Sequence, residues 1–292
     1  MCDTCGCNIT QGNQHLISTG GRLEKTESGR EAVTVLNSLL HENDHAAVHN
    51  REHFNAHQVI AINLMSSPGA GKTALLESTI QALGKEYSMA VIEGDLETEN
   101  DAERIRRHGV TAVQITTGSA CHLDAHMVHD AVHQLELAHL DIVFIENVGN
   151  LVCPASFDLG QHVNVVLLSV PEGDDKPAKY PVMFRKADLV VLSKADLLPV
   201  LDDFSPQRAE TCLRNLASAA PLIQTSAKST DGIREWLQHL REMIDKNRLV
   251  LQDQAPAQDH HQHHHQHHHG LEHEHNLDHH QAVACAHPAP KT

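Results

Sequence analysis

Residues 59–85 read VIAINLMSSPGAGKTALLESTIQALGK, and three patterns meet within them. VIAINLM (59–65) is a nearly continuous apolar run of strand length, as a strand buried on both faces of a parallel sheet requires. KTALLESTIQALGK (72–85) reads as a helix. Between them, SSPGAGKT (66–73) fits the phosphate-binding pattern G-x-x-x-x-G-K-[ST] at Gly71, Lys72 and Thr73, with Ser66 in place of the first glycine. The chemistry tolerates that change. Gly69 and Gly71 let the backbone curl so that N–H groups face phosphate oxygens, and the helix N-terminus reinforces them. Lys72 is expected to reach the β/γ-phosphates and Thr73 to ligate Mg²⁺. The nucleotide contacts are therefore assigned to Pro68, Gly69, Ala70, Gly71, Lys72, Thr73 and Ala74.

Outward from this loop, strand and helix signals alternate. MAVIEG (89–94), TAVQITT (111–117), DIVFIEN (141–147), VNVVLLSV (163–170), DLVVLSK (188–194) and PLIQTS (221–226) are further strand candidates, with helical stretches such as SPQRAETCLRNLAS (205–218) between them. The expected fold class is α/β, a doubly wound, mostly parallel sheet covered on both faces, of the P-loop NTPase kind. Four zones follow: a cysteine motif with a Gly/Ser/Thr/Gln-rich flexible linker (1–30), a histidine-bearing helix (31–57), the P-loop domain (58–250) and a His-rich tail (251–292) expected to be disordered without metal. In the helix, Val33, Leu36, Leu39 and Leu40 share a face, and His41, His45, His49, His53 and His57 recur every fourth residue.

The 292 residues carry 22 basic and 38 acidic side chains, a formal net charge of −16. So acidic a chain does not suit nucleic acid, which needs a basic face, but suits cations. No apolar run reaches the roughly 18–20 residues of a membrane span, and the N-terminus lacks signal-peptide features. Seven cysteines without an obvious disulfide framework point to a reducing cytoplasm, where Cys pairs more often mean metal or redox chemistry. Of 27 histidines, thirteen follow residue 259, in a tract that includes DHHQHHHQHHHGLEHEHNLDHH (259–280). Interspersed glutamines and acidic residues argue against an expression tag there.

Two acidic strand ends add to the phosphate loop: Asp95 after AVIEG, and Glu146 at the end of DIVFIE. Ligands of open α/β sheets bind at the carboxyl ends of strands, so both could face the metal or the attacking water, as catalytic residues beside Lys72. Asp95 could instead be a helix cap or turn residue. SKAD (193–196) and SAK (226–228) each follow a buried strand and correspond to the guanine-reading motifs [NT]KxD and SAK. Asp196 would accept from guanine N1–H and its exocyclic amine, and a carboxylate facing adenine would be left unpaired. GTP is favoured over ATP, with Lys194, Asp196, Ser226, Ala227 and Lys228 as base-site residues. A nucleotide or small-molecule kinase is disfavoured by these two motifs.

GSACHLDAH (118–126) places Cys121 and His122 after a strand, and Cys153 follows Glu146 by seven residues. Two thiolates and an imidazole suit Zn²⁺ or Ni²⁺. Taken alone, Cys153 is more often a small buried hydrophobe. His126, His129 and His133 read as a solvated helix face, with ligand roles as the alternative. The five-histidine row reads either as another solvated face or as chelating i, i+4 pairs.

SSPGAGKT, ENVGNLVCP (146–154), the Cys121–His122 pair, PEGDDKPAKYP (171–181) and the opening CxxCGC together resemble the HypB family of hydrogenase-maturation GTPases, within the SIMIBI-type P-loop branch that dimerises around nucleotide. The likeness covers about Val59 to Asn247 plus the first seven residues. It implies slow GTP hydrolysis, a GTP-dependent homodimer, a high-affinity nickel site at Cys2, Cys5 and Cys7, and a second metal site at Cys121, His122 and Cys153. It also implies HypA and the [NiFe]-hydrogenase large-subunit precursor as partners. Loss of Met1 would free the α-amine of Cys2 to join the three thiolates in a roughly planar four-coordinate Ni²⁺ site. A labile zinc knuckle or redox cluster is the alternative at MCDTCGC. The dense histidine tract is C-terminal here, whereas in the family such tracts usually precede the GTPase domain. Three roles therefore stand side by side: nickel insertion into hydrogenase, maturation of another nickel enzyme such as urease, and nickel storage with residual GTPase activity.

Overall fold

The computed structural model describes residues 30–95, 99–118, 120–228 and 231–254. Cys2, Cys5 and Cys7, the linker before residue 30 and the His-rich stretch after residue 254 lie outside the described residues. Seven strands make one sheet: β1 (Ile60–Met65), β2 (Met89–Asp95), β3 (Thr111–Thr116), β4 (Ile142–Glu146), β5 (Val163–Ser169), β6 (Leu189–Ser193) and β7 (Leu222–Gln224). Their order is β3-β2-β4-β1-β5-β6-β7 and every pairing is parallel. The doubly wound α/β reading holds, and the sheet is wholly parallel among the described residues. The strand order turns back at β1, which lies between β4 and β5. That reversal opens a crevice at the carboxyl end of β1, where SSPGAGKT begins.

The apolar runs become strands because both of their faces are covered. Ile60, Ile62 and Leu64 pack on one side with Leu76 and Leu83 of helix α2 (Lys72–Leu83) and with Trp236 and Leu240 of helix α8 (Arg234–Gln254). Trp236 is fully buried and its indole N–H donates to Thr79 Oγ1 at 2.8 Å, which satisfies its one polar atom. On the other side, Val59 and Ala61 meet Phe54 of helix α1 (Arg30–Ala56) and Val128 and Val132 of helix α4 (Ala125–Val132). The strand pleat alone sends neighbouring residues of β1 to these two sides. A third cluster fills the β5–β6 half with Met183 and Phe184 of α6 (Pro181–Arg185) and Leu213 of α7 (Pro206–Asn215). The remaining α-helices among the described residues are α3 (Asn100–Arg106) and the single turn α5 (Lys176–Lys179).

Helix α1 is tied into the sheet by more than Phe54. Asn43 Oδ1 accepts from Ala125 N–H at 2.9 Å, and Asn50 Nδ2 donates to the carbonyls of Ala125 at 2.8 Å and Leu159 at 3.1 Å. Both asparagines are buried, so each bond removes a desolvation cost. Truncating Phe54, which is fully buried, would cost about 3–5 kcal/mol.

Candidate nucleotide and metal site

The loop between β1 and α2 takes the shape its glycines permit. Gly69 has φ 75° and Gly71 φ 101°, values that a side chain would strain. Lys72 and Thr73 follow at the start of α2, both buried. Lys72 Nζ donates to Ser66 Oγ at 3.2 Å and stands 3.9 Å from Glu146 Oε1. Thr73 Oγ1 donates to the same Glu146 oxygen at 2.9 Å. Ser66, the departure from the glycine pattern, thus supplies a hydroxyl that holds the ammonium.

A second buried carboxylate joins this group, and the sequence reading passed over it. Glu93 is in register with Glu146 across β2 and β4. Ligand oxygens of Glu93, Glu146 and Asp101 of α3 all lie within 4.8 Å of one another. Burial, and then the Glu146 charge beside it, push Glu93 far above the usual carboxylate range. Burial also raises Glu146, while Lys72 pulls it back. Oε2 of each is buried without a hydrogen-bond partner. An acidic residue inside the apolar strand MAVIEGD was the available signal, since burial of such a group demands a partner. Asp95 shares a face of β2 with Glu93 but sits two residues further along, paired with Thr116. It is not one of the three carboxylates that converge.

SKAD and SAK meet at the ends of β6 and β7. Ser193 Oγ donates to the Ala70 carbonyl at 2.6 Å and Lys194 Nζ to the Gly69 carbonyl at 2.7 Å, bracing the phosphate loop from behind. Ser193 therefore performs a structural task despite departing from the Asn or Thr of the motif. Asp196 Oδ1 accepts from Ser226 Oγ and Oδ2 from Lys228 Nζ, both at 2.8 Å. Lys228, and then Ser226, hold its carboxyl below the usual range. A cavity of about 630 Å³ opens here, lined by Ala195, Asp196, Ser226, Lys228, Arg234 and Gln238. That volume falls in the range of small-molecule sites. Ala227 precedes Lys228 in the same turn, and its carbonyl accepts from Ser78 Oγ of α2 at 3.4 Å.

Cys121, His122 and Cys153 also come together, with ligand atoms within 4.8 Å of one another. His122 is fully buried and stacks on Phe157, with ring centroids 4.0 Å apart. Burial pushes its pKa down to about 4, so the imidazole is neutral and able to bind a metal. Its Nδ1 lies 4.0 Å from Cys121 Sγ, and its buried Nε2 has no hydrogen-bond partner.

The loop after Glu146 joins this cluster to the phosphate loop. Asn150 N–H donates to the Ser66 carbonyl at 2.8 Å, while its Nδ2 donates to the Cys121 carbonyl at 3.1 Å. Asn147 Oδ1 accepts from Leu123 N–H at 3.2 Å. A Cβ on Gly149 would stand 2.9 Å from Pro68 Cα, so only glycine lets the two loops touch. Neither asparagine was singled out from the sequence.

The histidines on α1 and α4 differ from their expected placement. His41 and His45 stack on each other, exposed, at 4.6 Å between centroids. His49 and His53 instead face His129 and His133, so those two are not simply a solvated face. Among the described residues no helix is long and apolar enough to cross a membrane.

Fold and site together define a P-loop nucleotide hydrolase with two cysteines and a buried histidine gathered beside its phosphate loop. Residues 60–224 match the family described as CobW/HypB/UreG, nucleotide-binding domain, and the chain belongs to that family. It is 52% identical over 205 residues to the hydrogenase maturation factor HypB of Azotobacter chroococcum mcd 1, covering 70% of this chain and 67% of the relative. It is 44% identical over 251 residues to the hydrogenase/urease maturation factor HypB of Helicobacter hepaticus (strain ATCC 51449 / 3B1), covering 84% and 99%. A crystal structure of HypB from Helicobacter pylori in complex with nickel is similar at TM-score 0.68 and 43% identity, over 70% of this chain and 96% of that one. HypB from Archaeoglobus fulgidus is similar at TM-score 0.65 and 38% identity, over 70% and 100%.

Proposed function

We propose that this chain is a GTP-hydrolysing nickel carrier that promotes insertion of nickel into the [NiFe]-hydrogenase large-subunit precursor, working with HypA and as a GTP-dependent homodimer. One observation carries the reading: Asn150 bonds both the phosphate loop at Ser66 and the metal loop at Cys121. That one short segment supports a link between nucleotide state and metal affinity, as a switched carrier requires. Lys72 and the loop N–H groups bind the phosphates, and Asp196 selects guanine. Asp95 and Glu146 are assigned to the metal or the attacking water. Thr73, Glu146, Glu93 and Asp101 form an all-oxygen set whose orphaned Glu93 and Glu146 oxygens fit a hard cation such as Mg²⁺. Mg²⁺ there would neutralise charge developing on the phosphates. Nickel is the cargo at Cys121, His122 and Cys153, and Zn²⁺ suits the same donors. Cys2, Cys5 and Cys7 are proposed as a loading site and the 259–280 tract as a nickel reserve.

The likeness to a Helicobacter hepaticus hydrogenase/urease factor over 84% of this chain supports a second client, urease. The test is nickel titration of the full chain with a GTP analogue or GDP, paired with hydrogenase assay in a strain relying on this chain. Lys72→Ala should abolish GTP turnover and maturation together. Normal maturation by that variant would defeat the switch. Urease assay in a strain that makes both enzymes separates the two client readings.

A further inference from the structure

The row of histidines on α1 acquires partners only in three dimensions. His49 and His53 lie one helical turn apart on α1, and His129 of α4 and its C-cap residue His133 have the same spacing. Ligand atoms of His49, His53 and His129 all lie within 4.8 Å of one another. His133 Nε2 is 3.0 Å from His129 Nε2, and the His53 and His133 rings are 5.4 Å apart. Two nitrogens on one tetrahedral ion stand about 3.3 Å apart for metal–nitrogen bonds near 2.05 Å. Small rotations of these partly exposed rings would therefore bring them onto one ion.

The tautomer of the central ring follows from its neighbour. Asn50 is fully buried and spends its amide hydrogens on the Ala125 and Leu159 carbonyls. Its Oδ1 is thus left to accept, and His129 Nδ1, 3.0 Å away, must carry the proton. The lone pair of His129 is then on Nε2, the atom that faces His133. A fixed partner behind one ring nitrogen is the usual support of a metal-binding histidine.

From this geometry we propose that His49, His53, His129 and His133 form a further metal site, for a borderline divalent d-block ion such as Zn²⁺ or Ni²⁺. The donor set is imidazole alone, which suits these ions and not Mg²⁺ or Ca²⁺. It is separate from the Cys121, His122 and Cys153 cluster and shares no residue with it. Its effect is to staple α1 onto α4. Because α4 starts three residues after His122, an occupied staple also stiffens the support of the thiolate-bearing loop.

Hydrogen–deuterium exchange of the full chain tests the site, with Zn²⁺ and Ni²⁺ in separate runs. At free ion about ten times Kd, exchange in residues 40–56 and in α4 should slow by about tenfold. His49→Gln with His53→Gln, which leaves the Asn50–His129 bond intact, should abolish the protection, as should His129→Gln. His41→Ala should keep it. Protection that persists in the His49→Gln/His53→Gln chain overturns the proposal. So does an ion that binds the wild-type chain without protecting α1, since it then sits only at the other cysteines or histidines.

Discussion

The side-chain amide of Asn150 donates to the Cys121 carbonyl at 3.1 Å while its own backbone N–H holds Ser66 at 2.8 Å. A single residue therefore bridges the Cys121 loop and the phosphate loop. Asn150→Ala cuts the first bond and keeps the second. Measured by nickel titration with GTP analogue and with GDP, the wild-type chain should show a nucleotide-dependent affinity ratio of about 5–150-fold. In Asn150→Ala that ratio should fall toward one while GTP binding persists. An unchanged ratio would mean that coupling runs elsewhere, with Asn147 and its bond to Leu123 the next candidate.

Ser193 fills a different structural gap. Its hydroxyl caps the Ala70 carbonyl from a buried position. Ser193→Ala leaves that acceptor short of a partner, at a cost of about 1–3 kcal/mol. Because the loss falls on the phosphate loop, nucleotide affinity should weaken by about tenfold or more. Differential scanning fluorimetry with and without GTP separates the two contributions. Equal losses in both runs would show a purely global effect.

Asp196 is held in place by Ser226 and Lys228. A carboxylate has about four lone-pair positions, so both oxygens still have capacity to accept from a base. Asp196→Asn should lower GTP affinity by about tenfold to a hundredfold and shift preference toward xanthosine triphosphate, whose C2 oxygen accepts where the exocyclic amine of guanine donates. Competition binding with the two triphosphates reads this directly. Unchanged selectivity would place the base away from Asp196.

Acid should loosen α1 through His162. Its Nδ1 accepts from Ala61 N–H at 2.9 Å, so Nε2 carries the proton that Asn55 Oδ1 accepts at 2.8 Å. Burial, with Arg51 nearby, lowers its pKa to about 4. The folded value lies below the unfolded one near 6.5, so the unfolded chain takes up a proton first as pH falls. The His162 contribution to stability is full above about pH 6.5 and declines toward pH 4, by at most about 1.4 kcal/mol per pH unit for this proton. His162→Gln should flatten that limb in urea melts at pH 7, 6 and 5. His122 contributes a slope of the same sign, so the flattening is partial.

The elements of this chain were legible in one dimension because each is specified by its own neighbours. Strands such as VIAINLM are apolar throughout since both sheet faces are covered, and Gly69, Gly71, Lys72 and Thr73 do their work within one turn of chain. Cys121, His122 and Cys153 gather although β2 lies between β3 and β4, the strands whose following loops carry them. The sheet order set the rest. With β4 seated between β2 and β1, Glu93 rather than Asp95 falls opposite Glu146. The same order brings Asn150 under Cys121, and α1 over α4 sets His49 and His53 against His129 and His133. Periodicity tells which face of an element is buried but carries no register between elements distant in sequence. Strand order and helix packing supply that register, and with it the contact between the phosphate loop and the Cys121 loop.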